Sequence, residues 1–502
     1  MNKKYIIAII AIVIIICAGA FALTNSSNTS STSASIDANA LEDKGNLVVD
    51  GESLDESKGF FHTESADTNT ILVKNGGALK LANSILNKTG DTQTSGDDAD
   101  FYGVNSAILV NTNGTLDISN VEINTNSKGS NGIFVTNAEA STSSSSSTDA
   151  QGDGGQPPEA TGNGNNSQSG NGGQPPEAQG SGDAGQTGGG NPGETTVEGT
   201  TQANIENVKI TTHSDKSRGL DATYNGIINA VNVVINTDGQ SCAALATDRG
   251  EGQVHVKNSE INTGVSKESG RGSPLIYSTG NITAENTKGT AYVSQIACIE
   301  GKNSIELSNC DLTGYGEGNR QDGSTYVDLG GIFIYQSMSG DADVGTSQFT
   351  AKNSKLAIAE DSSVYNEAPM FHVTNTACVI DLENTELIFG SGTFLEIAGQ
   401  NQWGNEGSNG GTAEVNTNNE QIEGNVIVDS ISSLVWTMKN TEFKGAINST
   451  GNTTINVESG STWTLTGDSS VSALEVSGNI DYGSYTLTVN GQKYTSSNPF
   501  KG

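Results

Sequence analysis

From about residue 41 onwards, hydrophobic side chains recur at alternate positions in short runs. Leu116 and Ile118, Val254 and Val256, Ile305 and Leu307, and Leu434, Trp436 and Met438 stand two apart, and each run leads into an asparagine, at Asn120, Asn258, Asn309 and Asn440. A period of two marks an extended strand with one buried face. Beyond the asparagine the phase slips by one residue. Val121 and Ile123, Ser259 and Ile261, Cys310 and Leu312, and Thr441 and Phe443 continue the buried face. A slip at a fixed residue type places a corner there. Asparagine suits a corner because it tolerates the left-handed backbone region and hydrogen-bonds locally, and its amide can bond to another stacked above it.

The same setting recurs at Asn83, Asn120, Asn207, Asn232, Asn258, Asn286, Asn309, Asn353, Asn384 and Asn440, and from Asn207 to Asn309 the spacings are 25, 26, 28 and 23 residues. Such a period predicts a solenoid in which each coil is two short strands meeting at an asparagine, closed by more variable segments. Between Asn120 and Asn207 the interval is 87, but it holds a Ser/Gly/Asn/Gln/Pro tract over about 138–201 in which "GGQPPEA" occurs twice. That tract cannot bury enough surface to order itself, so it is read as a disordered insertion in one coil. A leucine-rich repeat is the rival at this period, and the text lacks its leucine-dense consensus and helical return. The expected fold is all-β, a parallel β-helix over residues 41–502, with roughly 400 ordered residues forming about 16 coils. "LEDKGNLVVDGESL" at the start and "SYTLTVNGQKY" at the end, with its Asn490-Gly491 turn, are the expected caps.

The N-terminus stands apart. Lys3 and Lys4 precede an unbroken apolar run from Tyr5 to Leu23, and Ala20-Phe21-Ala22 offers a small-x-small cleavage site. Residues 1–23 therefore read as an export signal or N-terminal membrane anchor, the anchor being favoured, followed by a Ser/Thr/Asn-rich spacer over 24–40. This places the chain outside the cell, tethered at the surface, with secretion as the alternative.

Charge narrows the partners. The 502 residues carry 57 Asp plus Glu against 24 Lys plus Arg, a formal net charge of −33, which disfavours nucleic acid. Most pairs among Cys242, Cys298, Cys310 and Cys378 lie two or more coils apart, beyond the reach of a disulfide, so buried free thiols are expected.

The corners resemble the asparagine ladder of right-handed parallel β-helices of the pectate-lyase-like kind. "DADFYGVNSAILV", "GSPLIYSTGNIT", "IYQSMSGDADVGTSQFT", "WGNEGSNGG", "VDSISSL" and "STWTLTGDSSV" resemble text in large microbial surface proteins described as adhesin-like. The likeness covers about Leu41 to Gly502, the insertion excepted. It implies a right-handed single-stranded β-helix at a cell surface, and it carries no chemistry.

Candidate chemistry is sparse. Asn236-Thr237-Asp238 matches one piece of the polygalacturonase carboxylate set, but the Asp-Asp, Gly-His-Gly and Arg-Ile-Lys pieces do not follow it. It reads as a ladder phrase ending in a turn aspartate. Asp97, Asp98 and Asp100 concentrate carboxylates in one turn that could take Ca²⁺, against a plain solvated acidic turn. Parity puts Trp436 and Trp463 in the core, whereas Trp403 is either an exposed sugar-stacking ring or the cover of its own loop. Arg218, Arg249, Arg271 and Arg320 follow their preceding corners by 11, 17, 13 and 11 residues, which predicts one rim of guanidinium groups. The rim is either an anionic-glycan site or four local ion pairs. The expected function is a non-catalytic, adhesin-like surface protein that binds polysaccharide or a cell-surface glycan along a β-helix wall. A polysaccharide lyase or glycoside hydrolase of the same fold, and a structural cell-envelope protein, are the alternatives.

Overall fold

The computed structural model describes residues 36–94, 96–139, 195–196, 198–318, 320–321, 325–326 and 328–501. The protein is all-β, with 52% strand and ~2% helix. Two long sheets dominate, one of 22 strands and one of 16, joined towards the C-terminus by a sheet of four. Along the chain a strand of the 16-stranded sheet leads into a pair of strands in the 22-stranded sheet and then returns. One such cycle is Ile276–Ser278, Asn281–Glu285, Lys288–Ala291 and back to Ala297–Glu300. Each strand pairs in parallel with its counterpart one repeat later, as in Ile276 with Ala297, Asn281 with Ser304 and Lys288 with Asp311. This arrangement is compatible with a parallel β-helix solenoid.

The corners stand where the phase slip puts them. All ten predicted asparagines have φ between 45° and 55°, the left-handed region that asparagine enters more cheaply than most residues. Two further corners escaped the pattern: Asn419 (φ 57°), between Asn384 and Asn440, and Lys58 (φ 57°) at the first rung. Side-chain amides bond up the stack, from Asn232 to Asn207 at 3.2 Å, Asn286 to Asn258 at 3.1 Å and Asn384 to Asn353 at 2.9 Å. Just inside each corner a small residue is buried, and where it is serine its hydroxyl takes an amide from the coil before it. Ser259 Oγ accepts from Val233 N at 3.1 Å and Ser354 Oγ from Cys310 N at 3.1 Å. At one rung this residue is Glu420. Its Oε1 accepts Thr385 N at 2.8 Å, and its Oε2 has no hydrogen-bond partner among the described residues.

Inward residues of the two long sheets and of the four-stranded sheet form one core. Its C-terminal half is an aromatic chain, Phe349, Phe371, Phe394, Trp436, Phe443 and Trp463, with successive ring centroids 4.7 to 5.9 Å apart. Trp436 and Trp463 are fully buried, as their parity predicts. All four cysteines outside the N-terminal segment are free and buried, which agrees with the expectation from their spacing. On the outer wall Glu260, Lys288 and Asp311 stand in register on successive strands, with a 3.1 Å ion pair between Lys288 and Glu260.

The C-terminal hairpin pairs Leu487–Val489 with Gln492–Tyr494 through Asn490 (φ 46°) and Gly491 (φ 78°), closing the edge of the 16-stranded sheet. Residues 115–125 and 202–212 pair directly in parallel. Between them Ala138–Glu139 and Thr195–Thr196 form a short antiparallel pair, and the rest of the 138–201 tract up to Thr196 lies outside the described residues. The hydrophobic segment at 1–23 lies outside them too. Among the described residues no helix is long and apolar enough to cross a membrane.

Candidate functional site

The 16-stranded sheet has a sequence signal that the asparagine count passes over. Ser130-Asn-Gly-Ile, Ser217-Arg-Gly-Leu, Cys242-Ala-Ala-Leu, Ser273-Pro-Leu-Ile and Ser294-Gln-Ile-Ala each put a small polar residue three ahead of a strand. Three of these side chains accept the backbone N–H of the preceding repeat's equivalent residue: Ser217 Oγ from Ser130 N at 3.0 Å, Cys242 Sγ from Ser217 N at 3.2 Å, and Ser273 Oγ from Cys242 N at 2.9 Å. This stack fixes the strand register. It sets Phe134, Asp221, Ala246, Tyr277, Cys298, Phe333 and His372 in one outward column.

A cluster of buried charge gathers around Asp221 of that column. Arg218 ion-pairs with Asp100 at 3.0 Å, Asp221 at 3.5 Å and Asp248 at 2.6 Å, and Lys216 reaches Asp100 at 3.2 Å. Arg218 is 8% exposed, Asp248 4% and Asp221 0%. Burial outweighs the pull of Arg218 on both aspartates, holding Asp221 at about 7 and Asp248 well above the usual carboxylate range. The cluster is sealed by residues 96–102, which form a short helix and not the acidic turn expected from Asp97, Asp98 and Asp100. Phe101 O accepts from Thr223 Oγ1 at 2.8 Å. Asp100 is committed to Lys216 and Arg218, so the guanidinium stands among the carboxylates where a cation would have to sit. The side chain of Asp97 lies outside the described residues, and among those described no group of three or more His, Cys, Asp or Glu is arranged to hold a metal ion.

Among the described side chains, Arg218, Arg249 and Arg271 do not form the predicted rim. Arg218 and Arg271 precede strands of the 16-stranded sheet, whereas Arg249 follows one, so they lie at opposite edges. The count from the preceding asparagine failed because Arg249, at 17 residues, falls beyond the intervening strand Leu245–Thr247. Arg249 bonds Asp341 at 2.6 Å and lies 4.0 Å over the ring of Phe101. Arg271 is exposed; Arg320 falls in a two-residue strand, and its side chain lies outside the described residues. Trp403 is the cover of a loop and not an exposed sugar platform. It is 6% exposed, packs 4.7 Å from Tyr335 and donates Nε1–H to Asp328 Oδ1 at 2.7 Å.

An open site lies on the other long sheet. Over its first five rungs the outward column reads Asp55, Lys80, Asp117, Asn204 and Asn229. The neighbouring outward column reads Ser57, Ala82, Ser119, Glu206 and Val231. Three successive small side chains leave a groove of ≈ 780 Å³ between the taller residues. Further along, the same column carries Lys257, Glu285, Ser308, Lys352 and Glu383, mostly long side chains. Within the groove Asn229 Nδ2 donates to Asn204 Oδ1 at 3.2 Å, and Asn204 Nδ2 donates to Asp117 Oδ1 at 2.9 Å. Each amide nitrogen carries a second hydrogen that the ladder does not use. Lys80 makes no ion pair among the described residues. The sequence reading missed this groove because its polar residues look like any solvated strand face, and the three small residues that open it lie in different repeats. No protein-family model matches the chain, and no curated protein matches it.

Proposed function

We propose that the chain is a right-handed parallel β-helix held at the cell surface by its N-terminal segment, and that it binds polysaccharide on its outer wall without cleaving it. The groove over Asp55, Lys80, Asp117, Asn204 and Asn229 carries this reading. Its side chains recur at the strand spacing of about 4.8 Å, comparable to one sugar in an extended chain, so a polymer laid along the rod meets a new polar group at each unit. Amides and carboxylates match the paired hydroxyls of sugars, and many weak contacts in series add by avidity. The test is a glycan array, then titration of the leading polymer into wild type and into an Asn204→Ala/Asn229→Ala variant. We expect at least about tenfold weaker binding by the variant. Absence of binding by wild type would leave the structural cell-envelope reading in its place.

A catalytic reading has one observation in its favour. Asp221 and Asp248 are neighbouring carboxylates raised by burial, the kind of pair that glycoside cleavage uses. Against it, Arg218 fills the space between them and neither is open to a substrate. Release of new reducing ends or of unsaturated uronates by wild type, abolished by Asp248→Asn, would establish catalysis in place of binding.

A further inference from the structure

We infer that the polymer held by this groove carries free amino groups, and that Asp117 and Glu206 seat a sugar ammonium above Ser119; the inference rests on the groove being a polysaccharide site. Ser119 lies two residues beyond Asp117 on the same strand and directly opposite Glu206 on the next. Both are outward positions, so a short hydroxyl floor is flanked by two carboxylates on adjacent rungs. A cation there gains both charges and a hydroxyl acceptor, while ring hydroxyls of the same sugar and of the next face the amides of Asn204 and Asn229 in turn.

The lining as a whole selects the same sign. Asp55, Glu56, Asp117 and Glu206 stand against one lining cation, Lys80. Glu56 shares Lys44 at 3.6 Å; Asp55, Asp117 and Glu206 have no ion-pair partner among the described residues. A uronate polymer would set a carboxylate against this wall at every sugar, and the net charge of −33 adds to the repulsion. Two of the arginines that suit uronates are elsewhere and already paired, Arg218 with three aspartates and Arg249 with Asp341. Lys80 stands one rung before Asp117 and opposes an ammonium on the neighbouring sugar. Its neutral variant should therefore bind better than wild type, an effect that no general loss of structure would produce.

The test uses the full chain and three oligosaccharides of equal length: a β-1,4-glucosamine oligomer at mildly acidic pH, where its amines are charged, its N-acetylated counterpart, and oligogalacturonate. The expected order is glucosamine first by at least about tenfold, the N-acetylated form second, and no binding of the uronate. Asp117→Asn/Glu206→Gln should erase the preference for the amine, and Lys80→Gln should strengthen it. Asp311→Asn/Glu442→Gln removes the same charge from a distant part of the wall and should bind as wild type does. Equal weakening by both double variants would assign the attraction to net charge and overturn the site. Binding of the N-acetylated form as tightly as the amine would overturn the ammonium assignment while leaving the groove as a glycan site. Failure of all three oligomers to bind would remove both.

Discussion

At position 420 a glutamate stands where the other corners bury a smaller residue such as Ser259, Ser354, Thr385 or Thr441. Glu420 is 2% exposed, and desolvation raises its pKa to about 7 from the ordinary 4.5, with one amide bond pulling the other way. The folded state therefore holds this proton more tightly than the unfolded chain does. Its contribution is fully present below about pH 4.5 and is lost as pH rises towards 7, beyond which the penalty levels off at on the order of 3 kcal/mol. Glu420→Gln mimics the protonated acid and keeps the acceptor for Thr385. The variant should melt at the wild-type temperature at pH 4 and clearly above it at pH 8; equal melting at both pH values would show that Glu420 does not ionise at the cost assigned to it. Residue 420 was not legible as unusual in the sequence, because Asn419 was not recognised as a corner and the inward phase could not be carried through it.

At the scale of the strand pair, the corner is a backbone device with a side-chain ladder added. Asn258 takes φ 51° and accepts the amide of Asn286 at 3.1 Å. Asn258→Leu imposes a branched side chain on the left-handed region and removes that acceptor, at a combined cost of about 2–3 kcal/mol. Two residues on, Glu260 makes an exposed ion pair with Lys288, and Glu260→Ala should cost under about 0.5 kcal/mol. Thermal melting of the two variants measures the contrast, and similar shifts would mean that the ladder adds no stability of its own. The strand, corner and second strand were legible because alternation and the one-residue slip are local. The strand of the other sheet was less so: its outward residues are themselves covered, so Leu220–Thr223 and Ile332–Tyr335 show no exposed positions at all. A strand buried on both faces loses the alternation that would reveal it. This is why Asp221 and Asp248 were not recognised as a site, and why the arginine count ran past a strand edge.

Across the whole molecule, 57 acidic residues against 24 basic ones set long-range repulsion against short-range ion pairs such as Lys257 with Glu285 at 2.7 Å. Each exposed pair contributes about 0 to 1 kcal/mol, while repulsion acts among all the unpaired acids. Salt screens both, and the repulsion is the larger sum. The melting temperature should therefore rise between ~0.01 and ~0.5 M NaCl, as the screening length falls from ~30 Å to under ~10 Å. A melting temperature that falls with salt would show that the ion-pair columns outweigh the net charge. Binding of an amino polymer should move the opposite way, weakening as salt rises, so stability and affinity separate in one titration.

The sequence by itself determined the β class, the repeat, ten of the corners, the buried free thiols, the burial of Trp436 and Trp463, and the hairpin at Asn490. Each of these follows from the chemistry of one residue, from the alternation within a strand, or from the regular spacing of one residue type along the chain. Tertiary structure alone decided that Trp403 lies under a loop, that Arg218 is shared among Asp100, Asp221 and Asp248, and that Ser57, Ala82 and Ser119 open a groove. Those outcomes depend on which residues stacking brings level from coils 25 to 118 positions apart, and on how far loops of unequal length fold back over the sheet. No local pattern records that distance, because it is set by the register of the whole stack.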